Sequence, residues 1–495
     1  MSKNKSIWDV ICHNKTLNPE FIILSDSEGS YTWRQIFDLV EMHRVKSANE
    51  ENELVFYSDK SVNSVAVMLS CIMQKKTFIP VSREQPTERL NSILKSLNHR
   101  KIYQPTTTSF VEFPIDDSTT EVLSRHQSKE SALYILFTSG STGIPKGVKI
   151  SESNIINSLE WGEKTFFWSP DDVIGIVTAF HFDISLFDLF TGLTKGIRLH
   201  ICGDVSNPKK VCQEISEYRV TSIFSTPSIF GLIAKLDDPS LINKTRLRRI
   251  ISGGDFFPPS DVIYWYSNFQ NIEVFNVWGP TETTIVNTAH KITKSDIDRL
   301  HSQKNISIGR SSEEMQIIIC EPETNPLNII KDEKKVGEIV VLGNSVGLGY
   351  VDAQIEAQAS YTSVKGKRAY RTGDLGFIED NQIYMVGRNS NLIKYQGYRI
   401  DPREVESHLL GQLGIRNCCL VLAANSISSS NLTLLIELFL ESSCTVAQIK
   451  DILRSKLPKY MIPKNVIFIE KLPVNTNGKI DRRLCTLLAE SQSEK

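Results

Sequence analysis

The chain has 495 residues, of which 40% are hydrophobic and 23% are charged, and its formal net charge is −1 at pH 7. Because one hydrophobic core rarely extends over such a length, the sequence predicts two or more folding units. The near-balance of 56 basic and 57 acidic residues excludes an overall field that would recruit nucleic acid or an anionic membrane. We therefore predict neither nucleic acid nor a membrane as a partner.

The N-terminal segment and the cysteines indicate the compartment. The stretch MSKNKSIWDVICHNK has no apolar segment or cleavage site of a signal peptide, and no apolar run approaches the roughly 20 residues of a membrane helix. The nine cysteines are scattered, none forms a C-x-x-C pair, and no His/Cys cluster has the spacing of a zinc site. The sequence thus predicts a cytoplasmic protein with reduced, mostly buried thiols.

Short apolar strands alternate with helices from about residue 131. The predicted strands include SALYILFT, DVIGIVTA, IRLHIC, VTSIFST, LRRIISGG and IEVFNVWG, and the predicted helices include ISLFDLFTGLTKG and PSIFGLIAKL. This alternation predicts layered sheets of largely parallel strands, whose ligands bind beyond the carboxyl ends of the strands. The loops TSGSTG, SGGD and WGPTET fall at those ends.

The pattern changes after about residue 300, where GEIVVLG and QIYMVGR predict the hairpins of a β-rich subdomain. Beyond GRNS, strands and helices alternate again in a separate α+β module, in which the Ser-rich ANSISSSN is predicted to be a surface loop. The predicted fold class is therefore α/β. It has a large N-terminal domain of βα-layered sheets plus a β-rich subdomain, followed by a small α+β C-terminal domain.

The stretch LFTSGSTGIPKGV, residues 136–148, predicts a phosphate-binding loop. Its glycines and hydroxyl side chains follow a predicted strand, so its donors can surround an anion. It is not a Walker loop, because Pro145 precedes the lysine and Lys146 is followed by Gly147 rather than by Ser or Thr.

TSGSTGIPKG resembles the phosphate loop of the adenylate-forming superfamily, which includes acyl-CoA synthetases, luciferases and the adenylation domains of nonribosomal peptide synthetases. The resemblance continues in order through NVWGPTETT, GEIVVLGNSVGLGY, YRTGDLG, GRNSNLIKYQGYRIDPREVE and LPVNTNGKIDRR, and covers most of the chain. It implies an adenylation core over residues 1–388, a hinge over 389–391 and a mobile C-terminal domain over 392–495. The hinge position, Ser390, is usually Asp or Lys in the family.

The resemblance implies ATP and Mg²⁺ as cofactors. In this family a carboxylate attacks the α-phosphate of ATP and expels pyrophosphate, so the site must supply donors and positive charge at the phosphates. The residues implied for the phosphates are Thr138, Ser139, Thr142, Lys146 and Thr281, and Glu282 would hold Mg²⁺. The residues implied for adenosine are Asn276, Trp278, Asp374 and Arg388. Asp374 would accept from the ribose hydroxyls, and Trp278 replaces the usual Tyr that stacks on adenine.

Lys479, in NTNGK, matches the family's lysine that bridges the substrate carboxylate and a ribose oxygen, and it is the predicted catalytic residue. The resemblance also implies that the C-terminal domain turns between two half-reactions and brings Gly397 toward the thioester site, where a small residue leaves room for pantetheine. The implied acceptor is the phosphopantetheine thiol of a discrete carrier protein. No carrier or condensation domain is recognised in the chain, so we expect a free-standing enzyme.

FHFDISLFDLF distinguishes the branches of the family. Asp183 precedes a predicted helix and is a candidate N-cap. In amino-acid-activating members, however, this aspartate pairs with the substrate α-ammonium, whereas fatty-acid and aryl-acid branches lack the carboxylate. Because an ammonium buried without a partner is costly, we predict an amino-acid substrate. The neighbouring His181 is predicted to be structural.

The remaining pocket positions implied by the resemblance are nearly all apolar. They are Ile184, Phe187, Ser228, Ile251, Gly253, Val277, Ile285 and Val286. Without a second charge, such a pocket disfavours polar side chains. We predict a small or medium apolar amino acid, with proline favoured over valine, isoleucine and alanine.

Three alternatives stay open. An acyl- or aryl-CoA synthetase is opposed by Asp183. A nucleotide-binding but catalytically silent interaction protein is opposed by the presence of all the matched charged residues. Within the leading class, a D-alanine ligase for cell-wall teichoic acids is the third.

Overall fold

The computed structural model describes residues 5–47, 52–113, 130–138, 145–203, 205, 207–302, 305–322, 324, 327–352, 361–388, 392–410, 412–426, 429–439, 442–473 and 480–493. The chain divides into two compact units. The first comprises Met1–Arg83, His99–Leu136 and Gly147–Ser390, and the second comprises Glu84–Asn98, Phe137–Lys146 and Asn391–Lys495. The domain boundaries inferred from the sequence remain a prediction.

The helices are α1 (Ile7–Leu17), α2 (Trp33–Ser47), α3 (Val62–Met73), α4 (Thr87–Leu97), α5 (Glu152–Phe166), α6 (Asp183–Lys195), α7 (Pro208–Glu217), α8 (Pro227–Ala234), α9 (Ser240–Asn243), α10 (Pro259–Asn268), α11 (Lys294–His301), α12 (Pro402–Ser407), α13 (Val446–Lys456) and α14 (Arg482–Ser493). Helix starts follow local sequence signals. Asn207 caps α7 by accepting from the Lys210 amide, and Pro208 occupies its first turn.

The strands are β1 (Ile22–Ser25), β2 (Ser30–Thr32), β3 (Glu53–Tyr57), β4 (Thr77–Val81), β5 (Lys101–Gln104), β6 (Ser109–Glu112), β7 (Tyr134–Thr138), β8 (Lys146–Ile150), β9 (Val173–Ile176), β10 (Arg198–Ile201), β11 (Ser222–Ser225), β12 (Arg249–Ser252), β13 (Glu273–Trp278), β14 (Thr288–Lys291), β15 (Gln316–Cys320), β16 (Gly337–Leu342), β17 (Gly349–Tyr350), β18 (Tyr361–Val364), β19 (Lys367–Glu379), β20 (Gln382–Arg388), β21 (Ile393–Tyr395), β22 (Tyr398–Ile400), β23 (Ile415–Ser426), β24 (Ser429–Leu438) and β25 (Asn465–Phe468).

An eight-stranded sheet carries most of the predicted βα alternation. Its order is β14-β13-β12-β11-β9-β10-β1-β2. The six strands from β13 to β1 pair in parallel, as Ile251 opposite Phe275 illustrates, and the two edge strands are antiparallel. Strands β9, β11 and β12 are buried along their whole length, as expected for a parallel sheet covered on both faces. The alternation read from the sequence is confirmed.

Two further sheets complete the first unit. A seven-stranded sheet has the order β17-β8-β7-β4-β3-β5-β6, and a five-stranded sheet has the order β15-β16-β19-β18 with β20 paired to β19. The pairs within this second sheet are antiparallel. It therefore corresponds to the predicted β-rich subdomain, and the polar segment after β15 connects it to its antiparallel neighbour β16.

The second unit contains the three-stranded sheet β23-β24-β25 and the hairpin β21-β22. Its apolar core includes Val405, Leu420, Leu434 and Leu453. The surface loop predicted at ANSISSSN is largely wrong, because both ends of this segment belong to strands: Ala424 pairs with Ser430, and Ser426 with Ser429. Antiparallel backbone pairing outweighs the weak turn preference of Ser and Asn here.

Candidate active site

Five of the predicted residues lie at the ends of neighbouring elements in the first unit. Asn276 and Trp278 belong to β13, whose last residue is Trp278. The next residues, Thr281 and Glu282, form a single turn of 3-10 helix. Asp183 is the first residue of α6, in the segment that follows β9. These are connections at the carboxyl ends of parallel strands, where open α/β sheets bind their ligands.

Glu282 is a buried carboxylate with a fixed orientation. Its side chain is 1% exposed, and the Tyr350 hydroxyl donates to its Oε1 at 2.8 Å. The Tyr350 and Tyr370 hydroxyls lie 3.3 Å apart and extend this polar chain. A buried, oriented carboxylate oxygen is the type of donor that Mg²⁺ prefers, so the residue fits the predicted ion.

Asp374 accepts a hydrogen bond from an indole. The Trp278 Nε1–H donates to Asp374 Oδ2 at 2.9 Å, and the two side chains are 4% and 1% exposed. The Asp374 backbone N–H donates to the Thr372 hydroxyl at 3.0 Å. In the β19–β20 ladder, Asp374 pairs with Arg388, whose side chain lies outside the described residues. The indole thus contacts the predicted ribose acceptor, a contact that the sequence did not reveal.

Asn276 also has a fixed side chain. Its Nδ2 donates to the Ser307 carbonyl at 2.8 Å, and the residue is buried. Because this hydrogen bond orients the amide, the side chain is preorganised for the predicted contact with adenosine.

The Asp183 carboxyl is influenced both by hydrogen-bond donors and by a second carboxylate. The structure assigns the N-cap of α6 to Phe182 and puts Asp183 in the first turn, so the N-cap interpretation is not confirmed. Burial raises the pKa of the Asp183 carboxyl, the hydroxyl of Thr281 and the backbone amide of Ile184 lower it by hydrogen bonding, and the nearby Glu282 raises it. Two carboxylates thus lie close together, and a positively charged ligand would relieve their repulsion.

The described part of the phosphate loop consists of its two flanks. Thr138 is the last residue of β7 and Lys146 is the first residue of β8. The Thr138 Oγ1 is buried without a hydrogen-bond partner among the described residues. A buried, unpaired hydroxyl is costly, which fits a group awaiting a ligand oxygen. Ser139 and Thr142 lie outside the described residues.

Three other predicted positions belong to the second half of the chain. Lys479 and Ser390 lie outside the described residues. Gly397 lies in the turn between β21 and β22 with a φ of +84°. This backbone conformation favours glycine, so the residue has a local structural role in addition to the predicted one.

Most of the predicted pocket residues belong to one apolar cluster. Its members are Ile184, Phe187, Ile251, Val277, Ile285 and Val286. A Cβ at Gly253 would lie 2.6 Å from the Cγ2 of Val277, so this position accepts only glycine without rearrangement. The Ser228 hydroxyl lies 2.7 Å from that of Thr226, which satisfies the pocket's polar side chain. Phe187 packs edge-on against Phe224, with ring centroids 5.9 Å apart.

His181 precedes this helix and is neutral at neutral pH, because burial lowers its pKa to about 4. The functional contact that sequence reasoning missed is Tyr350. Tyr350 is the last residue of the motif GEIVVLGNSVGLGY, to which the resemblance assigned no role.

Comparison with known proteins places this geometry in context. The family model "AMP-binding enzyme" matches residues 14–351, and "AMP-binding enzyme C-terminal domain" matches residues 404–479. A D-alanine--D-alanyl carrier protein ligase of Listeria monocytogenes is 28% identical over 484 residues, which cover 93% of this chain and 91% of the ligase. Bacitracin synthase 3 of Bacillus licheniformis is 27% identical over 463 residues, covering 90% of this chain and 7% of the synthase.

Solved structures share the fold. The Vibrio cholerae adenylation domain AlmE, in complex with glycyl-adenosine-5'-phosphate, superposes with a TM-score of 0.82 at 20% identity, covering 99% of this chain and 98% of that one. PA1221, which contains adenylation and PCP domains, gives 0.81 at 22% identity, covering 97% and 84%. The predicted fold class is confirmed. Among the described residues, no helix is both long and apolar enough to cross a membrane.

Proposed function

The chain belongs to the AMP-binding enzyme family, and from this premise we propose that it activates an amino acid with ATP and transfers it to a carrier protein. In the first half-reaction the amino-acid carboxylate forms a bond to the α-phosphorus of ATP, and the bond to the leaving pyrophosphate breaks. In the second, a phosphopantetheine thiol replaces AMP on the acyl carbon. The relative named D-alanine--D-alanyl carrier protein ligase supports an amino acid as the substrate and a carrier protein as the acceptor.

The position of Asp183 carries this proposal. Its carboxylate lies at the start of α6 within hydrogen-bonding reach of Thr281 and close to Glu282. A carboxylate beside the predicted phosphate and metal residues is unfavourable for an acid without an amine, because the two anions repel. For an amino acid, the same carboxylate pairs with the α-ammonium and leaves the substrate carboxylate to face the phosphate.

The other residues act on the nucleotide. Thr138, Thr281 and Lys146 offer two hydroxyls and an ammonium to the phosphate oxygens. Glu282, oriented by Tyr350, would hold Mg²⁺, which offsets phosphate charge when bound. Asp374, oriented by Trp278, would accept from the ribose hydroxyls. Lys479 would bridge the two substrates from the C-terminal domain, which would turn about residues 389–391 before the second half-reaction.

The proposed side chain of the substrate is small or medium and apolar. The six clustered pocket residues are buried and apolar, and Gly253 is closed to larger residues by Val277. Proline is the first candidate from the pocket composition. D-alanine is the second, because relatives over nearly the whole chain are named for it. Methylene-sized differences discriminate weakly, so several small amino acids are expected to react at different rates.

ATP–pyrophosphate exchange tests the first half-reaction. The full chain is assayed with the twenty amino acids, D-alanine, benzoate and fatty acids, and we expect exchange with apolar amino acids alone. Exchange with benzoate or fatty acids but not with amino acids would establish an acid:CoA ligase instead. Strong exchange only with charged amino acids would refute the pocket argument.

A variant pair isolates Asp183. Loss of the ion pair in Asp183→Ala should lower kcat/KM for the amino acid by at least about 30-fold, since a buried charge pair is worth roughly 2 kcal/mol or more. Asp298→Ala, which removes an exposed helical carboxylate of the same unit, is the matched control and should be unaffected. Equal activity of the two variants would contradict the role of Asp183.

The second half-reaction is tested by competition between acceptors. The enzyme, ATP and the preferred amino acid are mixed with a phosphopantetheinylated carrier protein and free coenzyme A, and thioesters are identified by mass spectrometry. We expect the aminoacyl thioester on the carrier. Aminoacyl-CoA as the main product would reject the carrier assignment while leaving amino-acid activation intact.

A further inference from the structure

Three side chains with metal-binding donors converge at one end of the eight-stranded sheet. His200 lies near the end of β10, Cys202 follows that strand, and Glu214 lies in α7. All three are buried, and one donor atom from each lies within 4.8 Å of the others. None of the three is assigned to the nucleotide or the amino acid. No motif predicted this cluster, because its members come from a strand and from the next helix.

The imidazole and the carboxylate are separated as two ligands of one ion are. His200 Nε2 lies 3.6 Å from Glu214 Oε2, and this nitrogen is buried with no hydrogen-bond partner among the described residues. The distance is longer than an ordinary hydrogen bond and is that of an ion pair when the imidazole is protonated. Donor atoms on one tetrahedral zinc ion lie about 3.3 to 3.6 Å apart, as Zn–N, Zn–O and Zn–S bond lengths require. The His200–Glu214 pair has this spacing, whereas the whole set lies within 4.8 Å and would close further on the ion.

Other contacts hold two of these side chains in position. The His200 Nδ1 lies 3.0 Å from the Ser25 hydroxyl. The opposite ring nitrogen, Nε2, is therefore the one that can face an ion. The Tyr218 ring stacks on the imidazole with centroids 3.6 Å apart. The Gly203 backbone N–H donates to Glu214 Oε2 at 2.8 Å. Such outer contacts, here to His200 and Glu214, are what fixes ligand orientation in metal sites.

The surrounding charges leave room for a divalent cation. Asp26 and Lys60 both act electrostatically on His200, and Lys60 donates to the Gly203 and Val177 carbonyls. Coordination deprotonates a thiol outright, so Cys202 would hold a divalent ion as a thiolate.

We propose that His200, Cys202 and Glu214 form a zinc site. Imidazole nitrogen, thiolate sulfur and carboxylate oxygen together favour Zn²⁺ over the hard cations Mg²⁺ and Ca²⁺. The three residues would link the end of β10 to α7 through the ion, so the ion would stabilise the packing of this helix on the sheet. The proposal does not depend on the proposed ligase activity.

The unmodified full-length protein gives the decisive measurement. After purification without added chelator and dialysis against metal-free buffer, elemental analysis should find zinc at one ion per chain. Removal of the ion and addition of Co²⁺ should produce the thiolate-to-cobalt charge-transfer absorption. Absence of bound zinc together with no such absorption on adding Co²⁺ would overturn the proposal.

Three variants locate the ion. Cys202→Ser should lose the charge-transfer absorption and Glu214→Gln should bind Co²⁺ at least about 10-fold more weakly, while the control Cys320→Ser, at a buried thiol in another sheet, should match the unmodified protein. Zinc retained at full stoichiometry by Cys202→Ser would refute the assignment. Pyrophosphate exchange is measured in parallel, so loss of ligase activity and loss of metal are told apart.

Discussion

Replacing Trp278 by Phe tests whether the indole positions Asp374. The substitution keeps an aromatic ring at the end of β13 but removes the donor that lies 2.9 Å from Asp374 Oδ2. Since Asp374 is 1% exposed, water cannot easily replace the lost N–H. The carboxylate should then be less well oriented toward a ribose hydroxyl.

The expected size of the effect follows from the type of bond. A hydrogen bond to a charged acceptor contributes about 1.5–3 kcal/mol, and 1.36 kcal/mol corresponds to a factor of about ten in rate or binding. Trp278→Phe should therefore lower kcat/KM for ATP by about 10- to 150-fold in pyrophosphate exchange. Trp265→Phe is the matched control, because it removes another buried indole hydrogen bond, to the Phe230 carbonyl at 3.1 Å.

Deoxynucleotides separate positioning from adenine stacking. If Trp278 acts through Asp374, the loss of kcat/KM caused by Trp278→Phe should be smaller with 2′-deoxy-ATP or 3′-deoxy-ATP than with ATP. The analogue already lacks the hydroxyl that Asp374 would accept from, so misplacing Asp374 removes nothing more. If the ring only stacks on adenine, Trp278→Phe should cost the same factor with ATP and with both analogues. That second pattern would refute the positioning role.

Three further predictions concern other contacts. Tyr350→Phe should raise the Mg²⁺ concentration for half-maximal exchange by about 10-fold or more, since it removes the hydroxyl that donates to Glu282 Oε1. An unchanged Mg²⁺ titration would contradict this. Because burial raises the pKa of Asp183, its protonation as pH falls should raise KM for the amino acid, and Asp183→Asn should show a flat profile. Glu406→Gln disrupts a bidentate pair with Arg482. It should lower the free energy of opening of β23 by about 3 kcal/mol, which is measured as faster amide hydrogen exchange in that strand.

Hydrophobic periodicity and turn signals predicted most of the fold class. The parallel sheet could be predicted because its strands are short apolar runs and several helices begin at a recognisable residue, such as Pro208 or Pro227. The Ser-rich segment at 424–431 was misread because strand pairing with a partner in the same hairpin is not visible in local preferences. Local signals therefore sufficed where burial and propensity agree.

The contacts within the site were harder to predict than its members. Motif order selected Glu282 and Asp374 as candidates, but the donors that orient them are 68 and 96 residues away in the chain. Nothing in the local sequence of Tyr350 or Trp278 distinguishes a hydroxyl or indole N–H aimed at a carboxylate from one that faces water. Only the folded sheet brings these pairs together.

Asp183 shows how a structural and a functional interpretation of one residue can be weighed. Hydrogen bonding by the backbone amides of Ile184 and of Asp183 itself lowers the pKa of this carboxyl, and such a helix-terminus interaction contributes about 0.3–1 kcal/mol. Yet burial and Glu282 raise its pKa, so the ionised form is disfavoured by its surroundings. A residue that served only to cap the helix would gain more at an exposed position, where the charge is solvated. The half-buried Asp183 carboxylate, whose pKa is raised further by Glu282, is therefore better explained by a positively charged ligand, and an α-ammonium group is a ligand that the proposed reaction supplies.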